Sequence, residues 1–155
     1  MDSQMAHAFR SIPYGVYVLT TRQEGGACGM VVSWVSQVSY SPPLLMVALR
    51  HNRKAIAAIQ KTGLFSLSLL QAGQESYIPR IKAVPDPQTF PFIDAGSGDA
   101  PFIRDALASF ACRLFTTMKT GDHVLMIGEV LSASASPGGK PLATPDYGKT
   151  YIGQS

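Results

Sequence analysis

Short strand-like segments follow one another along most of this chain, and this succession limits the possible folds more than any other feature. Residues 14–21 are rich in β-branched and aromatic side chains, residues 44–49 are apolar on both faces, and residues 64–70 alternate apolar with polar side chains. Each pattern is typical of a strand. Further strands are predicted over residues 27–33, up to Tyr40, over residues 108–117 and over residues 123–135.

Only one clear helix interrupts these strands. It is predicted to begin with Asn52 as its N-cap, to bury Ile56 and Ile59, and to end at Gly63. A short helix is also predicted over residues 5–12. Residues 71–101 are rich in Pro, Gly and Asp and are predicted to form a long functional or mobile loop. The order of elements predicts a mainly β fold, a closed antiparallel barrel with peripheral helices, and disfavours a doubly wound α/β fold.

Length and composition indicate one domain, residues 1–155, with a core of its own. The chain has 155 residues, of which 46% are hydrophobic and only 15% charged. Charged residues usually make up about a quarter of a soluble domain, so part of the apolar surface is expected to be covered, for example by another subunit. The net charge of +3 comes without a basic stripe, and nucleic acid is therefore not an expected partner.

The two cysteines and the N-terminus indicate a cytoplasmic protein. Cys28 and Cys112 are far apart and match no metal-ligand spacing, so no metal is expected and both are interpreted as free thiols. No signal peptide is visible, and no apolar stretch approaches the roughly 20 residues of a membrane-spanning helix.

The basic segment at residues 50–54 conflicts with the electrostatics of a helix start. Arg50 and His51 precede the predicted helix, and Arg53 and Lys54 lie in its first turn, where partial positive charge favours acidic residues. A bound anion would remove the conflict, because helix N–H groups and cationic side chains would converge on a phosphate. A solvated basic end, screened by salt, explains the segment equally well.

Two weaker signals point to a ligand pocket. Trp34, the only tryptophan, lies among small hydroxyl residues and one amide at 33–39, which suits a flat heteroaromatic ligand, although a barrel strand with one packed Trp is the simpler interpretation. His123 follows Gly121 and Asp122 at the start of a strand; an exposed His is again the simpler interpretation. The chain has no Ser–His–Asp set, P-loop or Gly-x-Gly-x-x-Gly motif, so any nicotinamide must bind in some other way.

Taken in order, these segments resemble a known family. The stretches that carry the resemblance are Gly15-Val16-Tyr17-Val18-Leu19-Thr20-Thr21, Gly29 to Ser39 with Ser33-Trp34-Val35-Ser36-Gln37, Pro42-Pro43, Gly63-Leu64-Phe65, Ala106 to Arg113, Gly121-Asp122-His123 and Gly128-Glu129-Val130. Over about residues 5 to 150 their succession resembles the flavin reductase-like, FMN-binding split-barrel family. The Ser-Trp-Val-Ser-Gln sequence at residues 33–37 is most similar to that of flavoredoxins and of the flavin reductase domains attached to flavodiiron proteins and rubredoxins.

The resemblance implies a split β-barrel with Greek-key topology, a homodimer, and FMN near the subunit interface. It assigns Ser33, Trp34, Val35, Ser36 and Gln37 to the isoalloxazine ring and ribityl chain, and Arg50, Asn52, Arg53 and Lys54 to the phosphate. His123 would be the catalytic residue that faces the nicotinamide, and Tyr147 or Tyr151 would reach the partner subunit's flavin.

The same resemblance implies an NAD(P)H-dependent flavin reductase that passes electrons through FMN to an acceptor. The alternatives are a non-enzymatic FMN electron carrier between protein partners and, third, a split barrel that binds flavin or a tetrapyrrole-like ligand without turnover. A rubredoxin, a flavodiiron protein or a monooxygenase fed with reduced flavin is the expected acceptor, on a separate chain.

Overall fold

A computed structural model describes residues 1–82, 92–93 and 100–153 of the chain. Strands dominate the described part, as the sequence predicts. In chain order the elements are α1 (Ser3–Arg10), β1 (Tyr17–Gln23), β2 (Gly26–Val32), β3 (Val35–Ser39), β4 (Leu44–Arg50), α2 (Lys54–Thr62), β5 (Leu64–Leu69), α3 (Tyr77–Lys82), β6 (Phe92–Ile93), β7 (Phe102–Ile103), β8 (Ala108–Thr120), β9 (His123–Ala135) and α4 (Thr144–Tyr147). No helix among these is long and apolar enough to cross a membrane.

The main sheet has seven strands in the order β2-β1-β5-β8-β9-β4-β3, and every neighbouring pair is antiparallel. Its two edge strands, β2 and β3, are consecutive in the chain and are joined only by Ser33 and Trp34. Two residues span at most about 7 Å, so the sheet must curl until its edges meet at this end. This curl makes a mainly β barrel that is split beside Ser33 and Trp34.

Apolar side chains fill the interior of the curled sheet. Leu19, Val47, Phe65, Leu67 and Met126 are at most 1% exposed and pack in one cluster with Ala55 and Ile59 of α2. Adjacent residues of a strand face opposite sides of the sheet. Val18, next to Leu19 in β1, therefore packs in a second cluster, which lies under α3. The alternation of side chains along β1 therefore serves two cores, one on each face.

The start of α2 differs from the prediction. Arg53, not Asn52, is the N-cap residue, with extended dihedrals and no side-chain capping bond. The Arg53 N–H donates to the Arg50 carbonyl (3.0 Å), so Asn52 lies within the turn that ends β4. The predicted end is confirmed: Gly63 has a φ of 72°, a left-handed conformation that favours glycine. On the inner face Ala55 and Ile59 are buried, and Ile56 is partly buried against the core.

Strand β5 is buried on both faces, and not half-buried as its alternation indicates. The hydroxyls of Ser66 and Ser68 face the segment around residues 100–103. Ser66 Oγ donates to the Ala100 carbonyl (2.9 Å), and Ser68 Oγ accepts from the Ile103 N–H (3.1 Å). Because the polar face of the strand is hydrogen-bonded, it can be covered without cost from unpaired groups.

The predicted long loop, residues 71–101, contains helix α3 and the short strand β6, and β7 follows directly after it. Residues 83–91 and 94–99 of this prediction lie outside the described part. Both cysteines are free. Cys112 lies in the barrel core, where burial raises the pKa of its thiol to about 12.

Candidate functional site

A cavity of about 380 Å³ opens at the split of the barrel; we call it the main cavity. Its walls come from the end of β2, the β2–β3 connection, the end of β4, the start of α2 and the C-terminal segment. The residues that line it include Val31, Val32, Ser33, Trp34, Ala48, Leu49, Arg50, Arg53, Thr144, Tyr147, Lys149, Thr150 and Tyr151. This size lies within the range of ligand pockets, about 300–1,000 Å³.

The charges on the main cavity all have one sign. Its lining includes Arg50, Arg53 and Lys149, and no Asp or Glu is found among the described residues that line it. Arg50 ends β4 and Arg53 is the N-cap residue of α2, whose first turn has no acidic residue. Two cationic side chains, one of them at the N-cap of a helix, therefore line the cavity, an arrangement that favours an anion.

Around Trp34 the cavity wall is apolar and not cationic. Strand residues Val31, Val32, Ala48 and Leu49 contribute apolar walls next to it. Trp34 is held through both its side chain and its backbone. Its indole N–H donates to the Tyr151 carbonyl (3.2 Å), and its backbone carbonyl accepts from the Ala48 N–H (3.0 Å). The cavity is thus amphipathic, with cations near α2 and a fixed aromatic ring at the barrel split.

His123 lies behind this wall. Only 5% of the residue is exposed, and it is not among the residues that line the main cavity. Its ring centroid is 4.7 Å from that of Trp34. Its Nδ1 is 2.6 Å from Asp122 Oδ1 and its Nε2 is 3.1 Å from the Tyr151 hydroxyl. The hydrogen bond with His123 is the main reason why the pKa of Asp122 lies below its ordinary value, so the carboxylate accepts and Nδ1–H donates.

Six of the predicted site residues do not line the main cavity, His123 and five others. Val35 packs against the barrel core. Ser36 and Gln37 are exposed and bond to backbone carbonyls of their own strand, Ser36 Oγ to Gln37 O (3.1 Å) and Gln37 Nε2 to Ser39 O (3.3 Å). Asn52 and Lys54 are exposed beside α2. The structure therefore brings together Ser33, Trp34, Arg50 and Arg53 on one cavity, and the binding and catalytic roles of all ten residues stay predictions.

The C-terminal segment contributes groups that sequence reasoning did not assign. Lys149, Thr144 and Thr150 line the main cavity with both tyrosines of the tail. The Val16 N–H donates to the Leu142 carbonyl (2.8 Å), and the Thr144 N–H donates to the Tyr14 carbonyl (2.8 Å). These two hydrogen bonds hold the C-terminal segment against the residues that precede β1. Such contacts join residues about 130 positions apart, and nothing in the local sequence around Lys149 signals them.

A second cavity, of about 540 Å³, borders the same tryptophan. It is lined by Met1, Phe9, Tyr14, Trp34, Asp122, Ile152 and Gly153. Trp34 and the C-terminal segment thus form walls of both cavities, and among the described residues of the second lining Asp122 has the one charged side chain.

Comparison with known proteins places this arrangement in a family. The profile described as "Flavin reductase like domain" matches residues 9–151. The NADH-dependent FAD reductase of Streptomyces globisporus is 30% identical over 142 residues, which are 86% of this chain and 76% of the relative. An NADH-dependent FMN reductase of Methylorubrum extorquens is 29% identical over 143 residues, 90% of this chain and 83% of the relative.

The fold agrees with these relatives. The flavin reductase component of a bacterial two-component tryptophan halogenase superposes with a TM-score of 0.82 at 28% identity, covering 92% of each chain. On the family profile, the sequence relatives and the shared architecture, the chain belongs to the flavin reductase like domain family.

Proposed function

We propose that the protein binds FMN in the main cavity and catalyses its reduction by NADH. The observation that carries this proposal is the positive charge of the cavity in a chain of this family: the described part of the lining contains Arg50, Arg53 and Lys149 and no carboxylate. A flavin mononucleotide has the matching shape: a flat ring system for the Trp34 end and a terminal phosphate for the α2 end. When bound, the flavin supplies the redox chemistry and accepts the hydride of NADH.

The phosphate is proposed to lie at the start of α2. Arg53 offers a fork of N–H donors that suits a phosphate oxygen pair, and Arg50 lies three residues earlier, at the end of β4. In the first turn of α2 the Ile56 N–H donates to the Arg53 carbonyl (3.1 Å), while neither an acidic side chain nor a capping side chain is present for the N–H groups that precede it. We propose FMN over FAD because this set of donors suits a terminal phosphate.

The ring system is proposed to lie along Trp34 and the apolar ends of β2 and β4. Ser33, in the two-residue connection between β2 and β3, brings a hydroxyl and backbone groups to this wall. The protein's task here is orientation and exclusion of water, and none of the residues on the wall has to act as a nucleophile or a base.

The nicotinamide is proposed to approach from the side of Trp34 and His123. Replacement of His123 by Ala is expected to slow the anaerobic reduction of bound FMN by NADH about 10- to 100-fold, because a misplaced donor loses the aligned geometry that hydride transfer requires. The affinity for FMN should change less than about twofold. Stopped-flow absorbance and an FMN titration measure the two quantities, with His7→Ala on the exposed α1 as the matched control.

The same stopped-flow experiment on the wild-type protein tests the activity itself. Rapid bleaching by NADH supports a reductase, the function that the names of the relatives favour. Retention of FMN with only sluggish bleaching would instead support an electron carrier. Because the similar halogenase component is by name one half of a two-component system, we propose a separate flavin-dependent oxygenase or halogenase as the acceptor.

A homodimer is proposed on the outer face of the sheet. The exposed apolar side chains Val38, Tyr40, Phe115, Met118 and Leu131 lie on or next to β3, β8 and β9, which are close together in the sheet. Light scattering of the purified protein should give twice the chain mass of 16.6 kDa, and a double variant Phe115→Glu with Leu131→Glu should lower it towards one chain. An unchanged mass in that variant would remove this face as the interface.

A further inference from the structure

His123 uses both of its ring nitrogens on groups of the same chain. Nδ1 is 2.6 Å from Asp122 Oδ1, and Nε2 is 3.1 Å from the hydroxyl of Tyr151. Because the carboxylate can only accept, Nδ1 carries a proton. In the neutral ring Nε2 is then an acceptor, so the Tyr151 O–H donates to it. The three side chains form one hydrogen-bonded chain with a defined direction.

Tyr151 is the member of this chain that reaches the main cavity. It is one of the lining residues, whereas His123 is buried and does not belong to the lining. The Tyr151 ring is 5.1 Å from the Trp34 ring, which is 4.7 Å from the imidazole. The Trp34 indole N–H also holds the backbone carbonyl of Tyr151 (3.2 Å). The tyrosine is therefore fixed at both its backbone and its hydroxyl, between the cavity and the histidine.

We infer that Tyr151 is a positioning residue for hydride transfer, which acts by holding the Nε2 side of the His123 ring and so fixing the orientation of the ring behind Trp34, while Asp122 sets the tautomer. This inference rests on the proposed function, in which His123 serves the nicotinamide side of the site. In this inference the Tyr151 hydroxyl acts on His123 of the same subunit, whereas the family resemblance implies that Tyr147 or Tyr151 reaches the partner subunit's flavin.

Loss of the hydroxyl alone tests the role, since Tyr151→Phe keeps the ring that packs on Trp34. Nε2 then lacks its donor, and the ring is held only through Nδ1 by Asp122, so its orientation is less restricted. We expect the reduction of bound FMN by NADH to slow about three- to tenfold, the effect of one neutral hydrogen bond. The affinity for FMN should stay within about twofold.

A double-mutant cycle separates action through His123 from a direct effect. In the His123→Ala background, Tyr151→Phe should cause no further loss of rate, because the group it positions is gone. An equal loss in both backgrounds would overturn the inference, and so would a faster reduction in Tyr151→Phe, which would show that the tyrosine obstructs the hydride donor.

A readout without activity completes the test. The chain has three histidines, and the ¹⁵N ring signals of His123 are assigned by their loss in His123→Ala. Because Asp122 holds the proton on Nδ1, we expect the Nδ1–H tautomer in the flavin-free wild-type protein and in Tyr151→Phe alike, with a shifted Nε2 signal in the variant, where the hydrogen bond to the tyrosine hydroxyl is lost. An unchanged Nε2 signal would contradict the inference. A wild-type protein that binds FMN but is not reduced by NADH would overturn the proposed function, while the Nε2 signal would still show whether Tyr151 holds the His123 ring.

Discussion

Arg53→Ala is expected to weaken FMN binding about 10- to 100-fold, the effect of losing one or two charge-assisted hydrogen bonds to a phosphate. Arg53 lines the basic end of the main cavity and is the residue from which α2 starts. Riboflavin lacks the phosphate, so its affinity should change by less than about twofold. Titration of the flavin-free protein with each ligand measures both constants.

The neighbouring lysine provides the matched control. Lys54 carries the same charge one position later, but it is not among the cavity lining residues. Lys54→Ala should therefore weaken FMN clearly less than Arg53→Ala does. An equal loss for FMN and riboflavin in Arg53→Ala would show that the phosphate is not bound there, and an equal effect of the two substitutions would indicate a diffuse basic field.

The largest expected effect on stability comes from Gly128→Ala. Gly128 lies in the middle of β9, opposite Leu45 of β4 and Leu114 of β8. A Cβ at this position would be 2.5 Å from Phe65 Cζ and 2.9 Å from Cys112 Cβ. The Phe65 ring is 1% exposed and enclosed by the barrel core, so it has no free space into which to move. Overpacking on this scale costs about 3 kcal/mol, which lowers the melting temperature by about 10 °C.

A smaller side chain at position 65 should relieve this overlap. Phe65→Leu alone is expected to be destabilising because it leaves a cavity. The double variant Phe65→Leu with Gly128→Ala should nevertheless be more stable than the sum of the two single effects, since the new methyl group occupies part of the vacated volume. Additive losses in thermal unfolding, or a Gly128→Ala variant that melts with the wild type, would contradict the described packing.

Local sequence predicts most of the strands because their signals are local. Alternation, β-branched residues and the Pro42-Pro43 interruption place β3, β4 and β5 close to their observed ends, and Gly63 ends α2 where predicted. The burial of β5 is different. Ser66 and Ser68 look like an exposed polar face until a segment about 35 residues later covers them.

The candidate site divides in the same way. Arg50, Arg53, Ser33 and Trp34 lie in segments with an unusual local composition, and all four line the main cavity. The position of His123 behind Trp34 depends on Tyr151, which is 28 residues away and whose hydroxyl bonds to it. Lys149 reaches the cavity only because the tail is tied to the entry of β1. These long-range placements have no counterpart in the periodicity or composition of the sequence.

A crystal structure of the protein with bound FMN is the most direct test of the central claim, that the basic end of the main cavity holds the phosphate of a flavin. The account predicts phosphate oxygens within hydrogen-bond distance of Arg53 and of the first N–H groups of α2, with the ring system on the Trp34 side of the cavity. A flavin that is ordered elsewhere on the protein, with its phosphate away from Arg50 and Arg53, would contradict it.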